Sequence, residues 1–177
     1  MSYDITLFRV PDGIEPSLAH REIMERQERE AADPNASIRH PVSDLTRTEM
    51  QRISDLLQKW RPTLKAFHAE NPLPWIELND DDLQVQFTVH DGTVEVTMPY
   101  FRDTANEMIQ CITESFTILS PEGYSAFDPQ LGRLVTSSDL AEITAQYRGM
   151  DQRLPEIMTV IGKPPALNKK KWWKFWA

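Results

Sequence analysis

A single cysteine, Cys111, is all the thiol chemistry that 177 residues offer, so no intramolecular disulfide can form and a disulfide-held secreted fold is excluded. Glycine is scarce as well. Its six copies make neither a P-loop nor a G-x-G-x-x-G run, so the phosphate-cradling motifs are missing and no cofactor is expected. No apolar stretch approaches the roughly 18 residues of a membrane span, and MSYDITLFRV has neither the basic nor the apolar region of a signal peptide. The expected location is therefore cytoplasmic. His20, His40, His68 and His90 are dispersed, without an HExxH pair or a CxxC, so no metal site is expected. A GxSxG elbow is also missing, and with it the usual signature of a serine hydrolase.

What the chain does have is acid, unevenly spread. The formal net charge is −8, yet residues 162–177 hold five of the 19 basic side chains and no acid. Residues 1–161 are left with 14 basic against 27 acidic groups, a net of −13. Such a body repels nucleic acid and attracts a basic protein. Pro164 and Pro165 then separate it from the ending KKKWWKFWA, where three of the five tryptophans fall within the last six residues. The expected organisation is one domain over 1–161 followed by a proline-containing linker and a basic, Trp-rich tail over 162–177. Lys169, Lys170, Lys171, Trp172, Trp173, Phe175 and Trp176 are the candidate tail contacts. Tryptophan and lysine suit a bilayer interface, so weak membrane-surface contact is an alternative use of the tail.

Periodicity predicts an α+β fold with a mostly antiparallel sheet. YDITLFRV alternates as a strand, and PSLAHREIMERQEREAA (16–32) is a polar helix whose apolar stripe is Leu18, Ala19, Ile23 and Met24. DPNASIRHP follows as a loop. A second helix, capped near Ser43 or Thr46, repeats Met50, Ile53, Leu56, Leu57 and Trp60 at three- and four-residue spacing until Pro62 kinks or ends it, with a short helical turn after. Leu83, Val85, Phe87 and Val89 alternate with polar residues, Asp91-Gly92 turns the chain, and Val94, Val96 and Met98 alternate back. This central hairpin, about 83–98, has one wet face. A helix from Asp103 or Thr104 to about Leu119 packs on it through Met108, Ile109, Ile112 and Phe116. Tyr124–Phe127 and Leu134–Val135 read as extended segments around a DPQLG turn. The last helix is expected from Ser138 to Gly149, with linker beyond.

Each candidate for chemistry has an ordinary competitor. Asp80, Asp81 and Asp82 carry hard oxygen ligands but match no calcium loop, and read as a turn with solvated carboxylates. Glu77 and Glu95 would form a carboxylate pair only if the sheet brought them together; exposed cross-strand positions are the simpler reading. Cys111 lies beside Met108 and Ile112 and reads as a buried, inert thiol. GYSAFDPQLGR is the segment that most invites a binding role, with Tyr124, Asp128, Gln130 and Arg133 as candidate partner-binding residues. A catalytic site near Asp128 is its enzymatic alternative.

MSYDITLFRV, the PYF that leads into a helix, and EGYSAFDPQLGRLV together resemble a loose set of small bacterial proteins. These begin Met-Ser-Tyr-Asp and later carry a Gly-Tyr-x-x-Phe/Tyr-Asp-Pro-Gln turn. The matching positions are Ser2, Tyr3, Asp4, Gly123, Tyr124, Phe127, Asp128, Pro129 and Gln130. Several such proteins look like immunity partners of secreted toxins. The resemblance implies a non-catalytic intracellular binding protein of the immunity type; taken with the acidic body, the expected partner is a basic protein such as a toxin and not nucleic acid.

Overall fold

The computed structural model describes residues 2–32, 44–69, 74–100 and 104–161; the loop expected at 33–41 and all of 162–177 lie outside them. Seven strands form one antiparallel sheet among the described residues. They are β1 (Ser2–Arg9), β2 (Lys65–Ala69), β3 (Trp75–Asp80), β4 (Val85–His90), β5 (Thr93–Pro99), β6 (Tyr124–Asp128) and β7 (Arg133–Val135). Their spatial order is β2-β3-β4-β5-β1-β6-β7, which sets the first strand between β5 and β6. Four α-helices accompany the sheet among the described residues: α1 (Pro16–Ala32), α2 (Asp44–Trp60), α3 (Ala105–Leu119) and α4 (Leu140–Ile161).

Alternation decides which face is which. Tyr3, Ile5 and Leu7 of β1, Leu78, Phe87, Val94, Val96 and Met98 all point to one side and are buried there. Met50, Ile53 and Leu57 of α2, Met108, Ile109 and Ile112 of α3, and Ile143 and Tyr147 of α4 close over them as a single core. Burying such side chains contributes about 1.5–3 kcal/mol each, and supplies most of what holds the helices down. Helix α1 lies on the opposite face, where the His20 ring stacks on Phe127 at 3.8 Å between centroids and meets Phe8 at 5.4 Å. Burial there lowers the His20 pKa, which favours the neutral ring.

The expected α+β architecture, the central hairpin and helices α1 to α3 are present, with several corrections. The apolar stripe of α1 is Ala19 with half-buried His20 and Ile23, while Leu18 and Met24 are exposed. Residues 65–69 form edge strand β2 rather than a continuation of helix after Pro62. Helix α4 runs on to Ile161, through Pro155, where a linker was expected. Leu83 belongs to the turn before β4 and rests on the core from there.

Two turns share one construction. Asp80 ends β3 and Asp128 ends β6, and both are buried. Oδ1 of Asp80 accepts the backbone N–H groups of Asp82 (3.1 Å) and Leu83 (2.9 Å); Oδ1 of Asp128 accepts those of Gln130 (2.8 Å) and Leu131 (3.0 Å). In each, the backbone N–H four residues on returns to the aspartate carbonyl, from Gln84 at 2.6 Å and from Gly132 at 2.8 Å. That fourth residue is left-handed, φ 59° at Gln84 and 66° at Gly132. Asp80 is therefore no solvated carboxylate, although Asp81 and Asp82 are exposed.

Gln84 occupies the position that Gly132 fills in the sister turn, and its Oε1 is buried without a partner among the described residues. Gln84→Gly relieves both costs and is expected to stabilise the fold by roughly 0.5–1 kcal/mol, the left-handed strain less glycine's greater chain entropy. Urea unfolding checks it, and an unchanged or lower midpoint contradicts it.

Candidate functional site

Tyr124, Asp128, Gln130 and Arg133 are all in place, but they build the fold's closure rather than a cleft. Tyr124 is buried at the start of β6, about 13 Å along the strand from Asp128. Burial, then the nearby Glu49 carboxylate, pushes its phenol up to about 12. The Tyr3 hydroxyl donates to Oδ2 of Asp128, joining residues 125 apart in sequence. In the amide orientation that satisfies both partners, Nε2 of Gln130 donates to Asp128 Oδ1 at 3.1 Å and to the Asp4 carbonyl at 2.8 Å. Asp128 thus presents no unengaged oxygen to a ligand. Arg133 is drawn to Asp139 (2.8 Å) and Glu142 (2.5 Å), which tie β7 to the start of α4.

Met-Ser-Tyr-Asp and Asp-Pro-Gln are therefore two halves of one clasp. Behind it the Tyr3, Tyr100 and Tyr147 rings pack together, Tyr100 stacked on Tyr147 at 5.1 Å. Burial and the adjacent Asp128 raise the Tyr3 pKa, so the phenol remains a donor. Nothing in the sequence pairs these segments; only the β1–β6 register does.

The surface left open lies on the other side of the sheet. Helix α1 covers β1 and β6 there through His20, and Thr93, beside Phe8 at the start of β5, is buried as well; from Phe67 to Glu95 the outward side chains are exposed or half-buried. The register lines up Phe67, Glu77, Thr88, Glu95, Thr6 and Phe127 as one row across six strands. Glu77 and Glu95 are brought to the same row, two strands or about 9.5 Å apart, with Thr88 between them. Neither has an ion-pair partner among the described residues, and Asn79 donates to Glu77 at 2.7 Å. One flanking row adds Asp4, Thr97, Gln86, Asn79 and Lys65, the last paired with Asp81. Phe67 stands 59% exposed at the outer edge. The uncovered width, three strand spacings or about 14 Å, matches one helix or a pair of strands.

A second concavity, of about 540 Å³, runs between α1 and the β4–β5 turn. Arg9, Arg26 and Arg29 line it together with Glu22 and Asp91, and Arg9 is already paired with Glu49 at 3.2 Å. Its charges nearly cancel, so it does not select an anion. Among the described residues no cluster of three metal-ligating side chains occurs. Cys111 is buried on the core face of α3, which pushes its thiol up to about 12. No described helix is long and apolar enough to cross a membrane. The candidate tail contacts, Lys169, Lys170, Lys171, Trp172, Trp173, Phe175 and Trp176, lie outside the described residues.

No family model, curated protein or solved structure matches the chain. The open face and the clasp are the features left to bear on function.

Proposed function

We propose that the protein is a non-catalytic, cytoplasmic binding protein of the immunity type, which occludes a basic partner, most concretely a cognate bacterial toxin. The observation that carries this reading is the open sheet face, where Glu77 and Glu95 stand in one row without an ion-pair partner among the described residues. Carboxylates placed so are hydrated in the free protein and available to guanidinium or ammonium groups. The net −13 of residues 1–161 adds long-range attraction to a basic surface. The resemblance of the Met-Ser-Tyr-Asp and Gly-Tyr-x-x-Phe-Asp-Pro-Gln segments to immunity-like proteins points the same way. On this view the clasp stiffens the sheet, and the face beside α1 does the binding.

The test is coprecipitation with, and rescue from toxicity of, the products of adjacent genes. Protection by the native chain, weakened at least about tenfold in affinity by Glu77→Lys with Glu95→Lys, is the expected result. Binding that the double reversal leaves unchanged would move the interface elsewhere, and no protection by any neighbouring product would remove the immunity reading.

A further inference from the structure

Helix α1 is held to the sheet by few side chains. Ala19 is the one described side chain of its 17 residues that is buried, with His20 and Ile23 half-buried, whereas α3 buries eight. Its hold is an aromatic stack: the His20 ring lies on Phe127 at 3.8 Å and beside Phe8 at 5.4 Å, and hydrogen-bonds to nothing among the described residues. Along the later turns of α1, the concavity of about 540 Å³ separates Arg26 and Arg29 from Asp91 and Gly92 of the β4–β5 turn. Before the helix, Gly13 is exposed and left-handed, φ 76°, with open space where a side chain would stand. It is a point about which the helix can swing. We propose that α1 is a hinged cover, latched through the His20 ring, and that its lifting adds Phe8 and Phe127 to the open face.

Phe127 closes the row that Phe67 begins. Lifting therefore leaves Glu77, Thr88, Glu95 and Thr6 between two aromatic ends, five strand spacings or about 24 Å apart. Such a face fits a basic partner whose charged groups are flanked by apolar ones. Lifting stands without the partner reading; use of the two rings by a partner rests on it.

The latch responds to protons. An imidazolium donates from both nitrogens, and the two phenyl rings give it no strong acceptor in place of the water they displace. Around it, α1 presents Arg21 and Glu22, β1 Asp4, β5 Glu95 and the β4–β5 turn Asp91, while Arg9 is paired with Glu49. Ser125 of β6 and Leu134 of β7 do not titrate. No acid among the described residues pairs with His20, and Glu95 is two strand spacings, about 9.5 Å, from Phe127. Burial therefore decides the direction and holds the His20 pKa below its usual 6.5. A base whose pKa falls on docking docks best while neutral. Docking is complete above about pH 6.5 and weakens below it, by up to about tenfold per pH unit. Off the sheet, a helix of 17 residues is marginal in water, so its amides lose protection.

The experiment is hydrogen exchange of the full chain, read by mass spectrometry at about pH 7.5 and about pH 5 and corrected for intrinsic rates. Protection of residues 16–26 is expected to fall at least about tenfold between the two, while β1, β5 and α3 change less than about twofold. His20→Phe keeps a ring in the stack and cannot titrate, so it should hold α1 down at both pH values. His20→Ala removes the latch and should leave α1 poorly protected at both. Circular dichroism confirms that each variant folds. Equal protection of α1 at the two pH values, the same fall in His20→Phe, or a fall shared by β1 and α3 overturns the proposal. If α1 lifts as expected while no basic partner binds, the function reading alone fails. A partner that binds while α1 stays protected overturns the use of Phe8 and Phe127.

Discussion

Asp128→Ala is expected to remove about 3–5 kcal/mol of stability, a large share of the 5–15 kcal/mol that a domain of this size has to lose. The carboxylate serves four donors at once: the Tyr3 hydroxyl, the Gln130 and Leu131 backbone N–H groups and, through its amide, the Gln130 side chain. Alanine leaves them without an acceptor where water enters poorly, and an orphaned buried donor costs about 1–3 kcal/mol. Tyr3→Phe removes one donor and keeps the carboxylate, so it is expected to cost only about 1.5–3 kcal/mol. The double variant should lose less than the two single losses combined, because both break the same bond. Equilibrium urea unfolding of the four proteins measures the cycle. Strict additivity would mean that Tyr3 and Asp128 are not coupled, and the clasp would cease to explain the motif.

The sister turn gives the second large effect, and it depends on acidity. Asp80 is opposed by burial, but the Leu83 N–H, Arg61 and Thr63 outweigh that and hold its carboxyl below the usual range. Arg61 donates at 2.5 Å and Thr63 at 2.8 Å. A pKa depressed by folding adds stability that is present above the unfolded value and is lost as pH falls through the folded value. The contribution should therefore be complete near neutrality and decline from about pH 4 downward. Asp80→Ala is expected to cost about 2–4 kcal/mol at pH 7, with Arg61 deprived of its partner. Its unfolding free energy should then fall less steeply than the native protein's between about pH 4 and pH 2. Parallel acid profiles for the two proteins would show that Asp80 is not a source of the acid sensitivity.

Some of this was legible in the sequence and some was not, for reasons that differ by residue. The hairpin around Asp91-Gly92 declares itself because Val85, Phe87, Val89, Val94 and Val96 face a core while Gln86, Thr88 and His90 do not. Strand β2 has no such contrast: Lys65, Phe67 and His68 are all exposed, so nothing alternates. Pro155 reads as an interruption, yet α4 continues through it. Asp80 and Asp128 each looked like turn residues, and they are, but burial is set by the long-range donors Arg61 and Tyr3. At 124–133 the candidate residues are engaged within the fold: Asp128 holds Tyr3 and Gln130, and Arg133 pairs with Asp139 and Glu142. What the linear sequence lacked was the strand order that turns Tyr124 and Asp128 inward and sets Glu77 and Glu95 in one row, with Thr88 between them, on the open face.

That order also has a temporal side. Strand β1 pairs with β5 and β6, so its hydrogen-bonding partners are translated roughly 90 and 115 residues after it, which at 5–20 residues per second is a wait of about 5–23 s. During that interval Tyr3, Ile5, Leu7 and Phe8 have no sheet to enter. A strand that later sits inside the sheet, between β5 and β6, thus waits longest for its partners, and chaperone contact with the nascent chain should concentrate on Ser2–Arg9.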